Sequence, residues 1–125
     1  MEYMLLFYET TAEQARADDP QAAGPYWGAW TAYVNAVQAS GCMRGGNGLQ
    51  HPRTATTVRL VNGQRQVQDG PFADTREHLG GYFIIDVPSL DEALEWAARA
   101  PNASAGYTEV RPVLPPMPGE DGAPS

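Results

Sequence analysis

The stretch Tyr82-Phe83-Ile84-Ile85-Asp86-Val87-Pro88-Ser89-Leu90-Asp91-Glu92-Ala93-Leu94 decides the fold, because it joins two kinds of element through one short turn. Tyr82 to Val87 is apolar on both faces, the pattern of a buried strand. Ser89 followed three residues later by Glu92 has the spacing of a capping box, in which the serine oxygen accepts from a first-turn N–H that has no helical partner. The helix opened there carries Leu90, Ala93, Leu94 and Ala97 and stops before Pro101. A strand feeding a capped helix is half of a βαβ unit, and the other elements are read outward from it.

Toward the C-terminus, Tyr107 to Val113 is a final strand. Toward the N-terminus, Thr56 to Val61 alternates with β-branched residues, Asn62-Gly63 is a strong two-residue hairpin signal, and Gln64 to Asp69 is the return strand. Cys42 to Leu49 reads as a strand whose Gly45, Gly46 and Gly48 allow a bend or a close backbone approach. After Pro25, Trp27, Trp30, Val34 and Val37 recur at helical spacing, and Ser40-Gly41 ends that helix. Residues 10–24 are polar and alanine-rich, a loop or weak helix. Tyr3 to Tyr8 is a short aromatic and apolar run suited to a central strand. The order predicts an α+β, ferredoxin-like βαββαβ sheet with an inserted hairpin. The folded body is expected over residues 1–113, with residues 114–125 a flexible tail rich in proline and glycine.

Composition excludes several classes of function. The chain has 125 residues, enough for one domain, and 42% of them are hydrophobic. Fifteen acids face eight bases, a formal charge of −7, and every base is an arginine. Without lysine there is no Schiff-base amine and no phosphate-loop lysine. Cys42 is the single cysteine, so no internal disulfide or multi-cysteine zinc site forms. A chain this acidic is not expected to bind nucleic acid, which calls for a basic stripe. The opening apolar run is too short to span a membrane and lacks a basic flank, so no membrane association and a cytoplasmic location are expected.

The segment Asp69-Gly70-Pro71-Phe72-Ala73-Asp74-Thr75-Arg76-Glu77-His78-Leu79-Gly80-Gly81-Tyr82-Phe83 resembles the signature of the YCII-related, DGPF-type proteins, usually written DGPFAETKEQLGGYY. The opening Tyr3-Met4-Leu5-Leu6, the run Ala55 to Arg59, the helix Asp91 to Arg99 and the closing Glu109 to Val113 are similar to the same family. The resemblance implies a dimeric α+β barrel, in which the sheets of two protomers pack face to face. It also implies a link, for some members, to extracytoplasmic-function sigma factors. The wider superfamily has a proposed histidine–aspartate pair, with the histidine on the first helix and the aspartate in an Asp-Pro after the second. Here the register places Trp30 near the histidine position, and the Asp-Pro reads Ala100-Pro101, so that mechanism does not carry over. Within the signature, Asp74 stands for glutamate, Arg76 for lysine and His78 for glutamine.

The loop from Asp69 to His78 gathers three carboxylates, a guanidinium and an imidazole within ten residues. One reading makes Asp74, Glu77 and His78 a catalytic acid–base cluster, with Asp69 and Phe72 beside a bound ligand. The other makes Asp69 and Asp74 turn caps, with Gly70-Pro71 setting direction and Phe72 plugging the core. Trp27 and Trp30 similarly read either as walls of an aromatic ligand pocket or as the buried face of a helix. His51 and His78 have no ligand spacing that specifies zinc, and no metal site or cofactor is expected. The Gly45-Gly46-Asn47-Gly48 run lacks the GxGxxG spacing of a nucleotide loop. Asp86 is expected to pair with an arginine such as Arg111. Two functions follow as expectations: a small-molecule binding cleft with general acid–base chemistry, or a non-catalytic interaction or regulatory module with a sigma-factor-linked protein partner. In either case one face of the sheet needs a cover, and a homodimer is expected to supply it.

Overall fold

The computed structural model describes residues 1–72 and 75–116. Asp74, and the expected tail from residue 117 onward, lie outside the described residues. The elements are β1 (Glu2–Thr10), α1 (Thr11–Asp18), α2 (Ala23–Ala39), β2 (Met43–Gly48), a short 3₁₀ turn (Pro52–Thr54), β3 (Thr56–Val61), β4 (Gln64–Asp69), β5 (Glu77–Asp86), α3 (Leu90–Arg99) and β6 (Tyr107–Pro112). Four strands form an antiparallel sheet in the order β2-β5-β1-β6, while β3 and β4 form a separate two-stranded ribbon. This is the expected ferredoxin-like α+β arrangement with an inserted hairpin. No helix among the described residues is long and apolar enough to cross a membrane.

The alternation of β1 sets the core. Tyr3, Leu5 and Phe7 are buried against Tyr33 and Val37 of α2, Ala93 and Ala97 of α3, and Phe83 and Ile85 of β5. Strand side chains alternate between faces, so Met4, Leu6 and Tyr8 lie on the opposite face, half-buried. Ile84 and Tyr82 stand opposite Met4 and Leu6 across the ladder and share that open face. Aromatic rings lock the covered face: Phe7 meets Phe83 edge-on at 4.9 Å and Trp30 at 5.2 Å, and the Tyr33 hydroxyl donates to the Trp96 carbonyl at 2.7 Å. Asn102, wholly buried, fastens the loop before β6 by donating from Nδ2 to the carbonyls of Tyr8 (3.0 Å) and Tyr107 (2.9 Å).

Local signals explain most boundaries. Asn62 (φ 52°) and Gly63 (φ 77°) both take positive φ, as a tight primed hairpin turn requires. Ser89 accepts from the Glu92 N–H at 3.3 Å and starts α3. Gly46 packs against Phe83, where any Cβ would meet the ring and the Tyr82 carbonyl at 2.6 Å, which explains the glycine at that position of β2.

The loop-or-helix alternative over residues 10–24 resolves as a helix at Thr11–Asp18, because Thr10 and Glu13 cap it reciprocally: the Thr10 N–H donates to Glu13 Oε1 at 2.9 Å and the Glu13 N–H to Thr10 Oγ1 at 3.2 Å. Several expectations are corrected. β5 begins at Glu77, so Glu77 and His78 belong to a strand and not to the preceding loop. Leu90 and Leu94 are exposed, and it is Trp96 that joins Ala93 and Ala97 against the core. Phe72 does not plug the core; it is exposed, with the Arg59 guanidinium 5.1 Å from its ring centre. Asp86 does not pair with Arg111, which lies 3.6 Å from Glu109 on its own strand. It faces the Met1 amino group at 2.9 Å and Arg44 at 3.6 Å, and its hydrogen bond to the amino group lowers its pKa.

Candidate functional site

Beyond the end of β1 the sheet and α2 diverge and leave a cleft of about 770 Å³. Its walls are Phe7 and Phe83 from the sheet, Trp30 and Val34 from α2, and Trp27 as an overhang one turn nearer the helix start. Trp27 is therefore not part of the core face: it is exposed, and its Nε1 donates to the Ala17 carbonyl at 3.3 Å. The mouth is polar, built from Asn47, Gln50, His51 and Arg53 on one side and Asp18 on the other. Arg53 lies 3.9 Å from Asp18, and the Arg53 backbone N–H donates to His51 Nδ1 at 3.0 Å, leaving the ring proton of a neutral His51 on Nε2.

The chemical centre is Glu9. The register that buries Tyr3, Leu5 and Phe7 carries on to Glu9, which is only 6% exposed and lines the cleft beside Gln14 and Tyr26. The Tyr26 hydroxyl donates a hydrogen bond to Glu9 Oε2. Burial pushes the Glu9 pKa up and the nearby Glu13 adds to the rise, against the opposing hydrogen bond from Tyr26 and the charge of Arg16. Burial and the adjacent carboxylate likewise raise the Tyr26 hydroxyl, which stays a neutral donor. A carboxyl raised in this way, with a phenol on one oxygen and an apolar cleft alongside, can hold a proton and pass it to a bound oxygen or nitrogen.

Room for this carboxyl is made on β5. The ladder between β1 and β5 slips at Phe7/Tyr8, so Phe7 faces Gly81, Tyr8 faces Leu79, and Gly80 is left out of the pairing. A Cβ at Gly80 would collide with Glu9 Oε1 and stand 3.2 Å from its Cδ, and one at Gly81 would meet the Asn47 carbonyl at 2.8 Å. The Gly80-Gly81 pair is thus explained by two close approaches, one of them to the buried acid.

Of the residues singled out from sequence, Trp27 and Trp30 line this cleft. Asp69 is exposed at the end of β4, and Phe72 lies exposed beyond it. Glu77 and His78 are half-buried at the start of β5, opposite Thr10 and Glu9 across the ladder, but are not among the cleft walls. The described members of that loop fall on different elements, Asp69 at the end of β4 and Glu77 and His78 at the start of β5. Among the described residues no three histidine, cysteine or acidic side chains converge as metal ligands do.

A family model for the YCII-related domain matches residues 1–116. The chain belongs to this family. It is 50% identical over 68 residues to an uncharacterised protein, R00369, of Rhizobium meliloti (strain 1021), a match that covers 53% of this chain and 55% of that protein. The chain thus spans about half the length of the curated relative it matches. Among solved structures, it is similar to the 5-chloro-2-hydroxyhydroquinone dehydrochlorinase of Burkholderia phenoliruptrix AC1100, determined in complex with 2,5-dihydroxybenzoquinone. That likeness has a TM-score of 0.49 and 18% identity over 91% of this chain and 94% of the other.

Proposed function

We propose that this YCII-related chain binds a small organic molecule in the cleft beneath α2, with Glu9 and Tyr26 as its proton-handling pair. The observation that carries the reading is a buried carboxyl, raised by desolvation and bonded to a tyrosine, at the wall of an otherwise aromatic cleft. Phe7, Trp30 and Phe83 offer flat apolar surface, and His51, Arg53 and Asn47 supply polar contacts at the entrance. General acid–base catalysis is the chemistry these groups support, because burial makes the Glu9 carboxyl hold its proton more readily than an exposed one and the Tyr26 hydroxyl beside it fixes its orientation.

The test has two parts. Tryptophan fluorescence of the full chain is titrated with anilinonaphthalene sulfonate and with a panel of simple phenols and aromatic carboxylates. Saturable quenching that is lost in Trp30→Ala is expected; no saturable response from any probe would overturn the binding reading. Carboxyl-detected carbon NMR then follows Glu9 with pH, assigned through Glu9→Gln. A Glu9 signal that titrates with the surface glutamates would overturn the acid–base assignment.

A second copy of the chain is the proposed cover for the open sheet face, where Met4, Leu6, Tyr8, Tyr82 and Ile84 form an apolar stripe with Tyr8 stacked on Tyr107 at 4.7 Å. The alternative function, an interaction module, is favoured by the β3–β4 ribbon, whose Val58, Leu60 and Val67 are exposed among the described residues.

A further inference from the structure

The β3–β4 ribbon is unlike the rest of the molecule in three respects. It shares no sheet with the body. Val58 stands opposite Val67, and Leu60 opposite Arg65, so these side chains share one face, on which Val58 is 59%, Leu60 74% and Val67 58% exposed. Its charge is also inverted: between Asp19 and Asp69 the sequence holds no acid at all, yet four of the eight arginines, Arg59 and Arg65 among them. An isolated two-stranded ribbon is marginal in water, and one that shows an apolar face calls for something to lie against it.

A surface of matching chemistry occurs on α3. Leu90 and Leu94, one turn apart, form an exposed apolar ridge, and Asp91 and Glu95 repeat the same spacing immediately beside it. Apolar ridge with acidic flank is the complement of apolar ribbon with arginine flank. Within one chain α3 packs on β6, at the far edge of the sheet from β2, the strand that leads into the ribbon.

We infer that the β3–β4 ribbon is an arm that docks on α3 of a second copy of this chain, with Val58, Leu60 and Val67 against Leu90 and Leu94, and Arg65, which shares their face, beside Asp91 and Glu95. The inference rests on the proposal that a second copy pairs with the chain, and it adds to the sheet contact a reciprocal clasp at two equivalent places, as two-fold symmetry requires.

Sedimentation equilibrium of the full-length chain tests it. Wild type is expected to be a dimer. Val58→Thr with Leu60→Thr, which leaves a β-branched residue at both positions and hence preserves ribbon propensity, raises the dissociation constant at least about a hundredfold. Arg65→Glu, and separately Asp91→Arg with Glu95→Arg, each raise it at least about tenfold. The combined variant, with charges exchanged on both surfaces, returns to within about threefold of wild type. Unchanged far-ultraviolet circular dichroism shows that each variant is folded. A wild-type monomer overturns both this inference and the second-copy proposal. A wild-type dimer indifferent to the ribbon variants overturns the arm alone, and ribbon dependence without charge-exchange rescue overturns α3 as its seat.

Discussion

Gly80→Ala is the most direct probe of how the site is built. At an ordinary strand position the exchange favours the folded state by about 0.5–1 kcal/mol, because alanine has less backbone freedom to lose. At Gly80 the added methyl would overlap Glu9 Oε1 and stand 3.2 Å from Cδ, so the carboxyl must swing away. Swinging it breaks the hydrogen bond from Tyr26, a bond to a partly charged group worth about 1.5–3 kcal/mol. The two contributions leave Gly80→Ala destabilised by about 0.5–2.5 kcal/mol. In a Glu9→Ala background there is no carboxyl to displace, so the same exchange should be neutral or stabilising by about 0.5 kcal/mol. Urea denaturation of wild type, both single variants and the double variant gives the coupling directly, through midpoints at constant slope. A Gly80→Ala cost that is equal in the two backgrounds would refute the idea that the glycine exists to admit Glu9.

Two further outcomes follow from particular groups. A carboxyl raised in the folded state binds its proton more tightly there than in the unfolded chain, so its contribution is fully present below the ordinary value of 4.5 and is lost as pH rises toward the folded value. Urea midpoints should therefore fall with rising pH across that window more steeply in wild type than in Glu9→Gln, and parallel curves would count against it. Asn102→Ala leaves the buried carbonyls of Tyr8 and Tyr107 without their donor and should cost about 2–3 kcal/mol by chemical denaturation, whereas a loss below about 0.5 kcal/mol contradicts the fastening role.

What was legible in the sequence was local. Asn62-Gly63 names its own turn, Ser89 and Glu92 name their own helix start, and the apolar run from Tyr3 to Tyr8 names a strand, because each signal acts within a few residues. Thr10-Thr11-Ala12-Glu13 has the spacing of a capping box and was readable too, whereas an unbroken apolar run does not say which of its faces is buried, so the burial of Glu9 emerged only with the fold. The meeting of Glu9 with Tyr26 was not readable either, because it depends on how α2 sits over a strand end seventeen positions away in the chain. The density of charge between Asp69 and His78 drew attention to a segment whose described members diverge: Asp69 ends the ribbon, while Glu77 and His78 open the central strand pair. Charge clustered along a chain says little about charge clustered in space when a strand boundary falls inside the cluster.

The position of β1 between β5 and β6 also has a consequence for how the molecule is made. It leaves the ribosome well before either of its neighbours, which begin at Glu77 and Tyr107. At about 5–20 residues per second, roughly 3 to 13 s pass between the synthesis of Thr10 and that of Glu77. Throughout that interval Tyr3, Leu5 and Phe7 have no strand to pair with, and only α2 among their eventual covers has been made. The nascent chain thus presents its most apolar strand to the cell at the time when it is least able to bury it, and early engagement by a chaperone is to be expected of it.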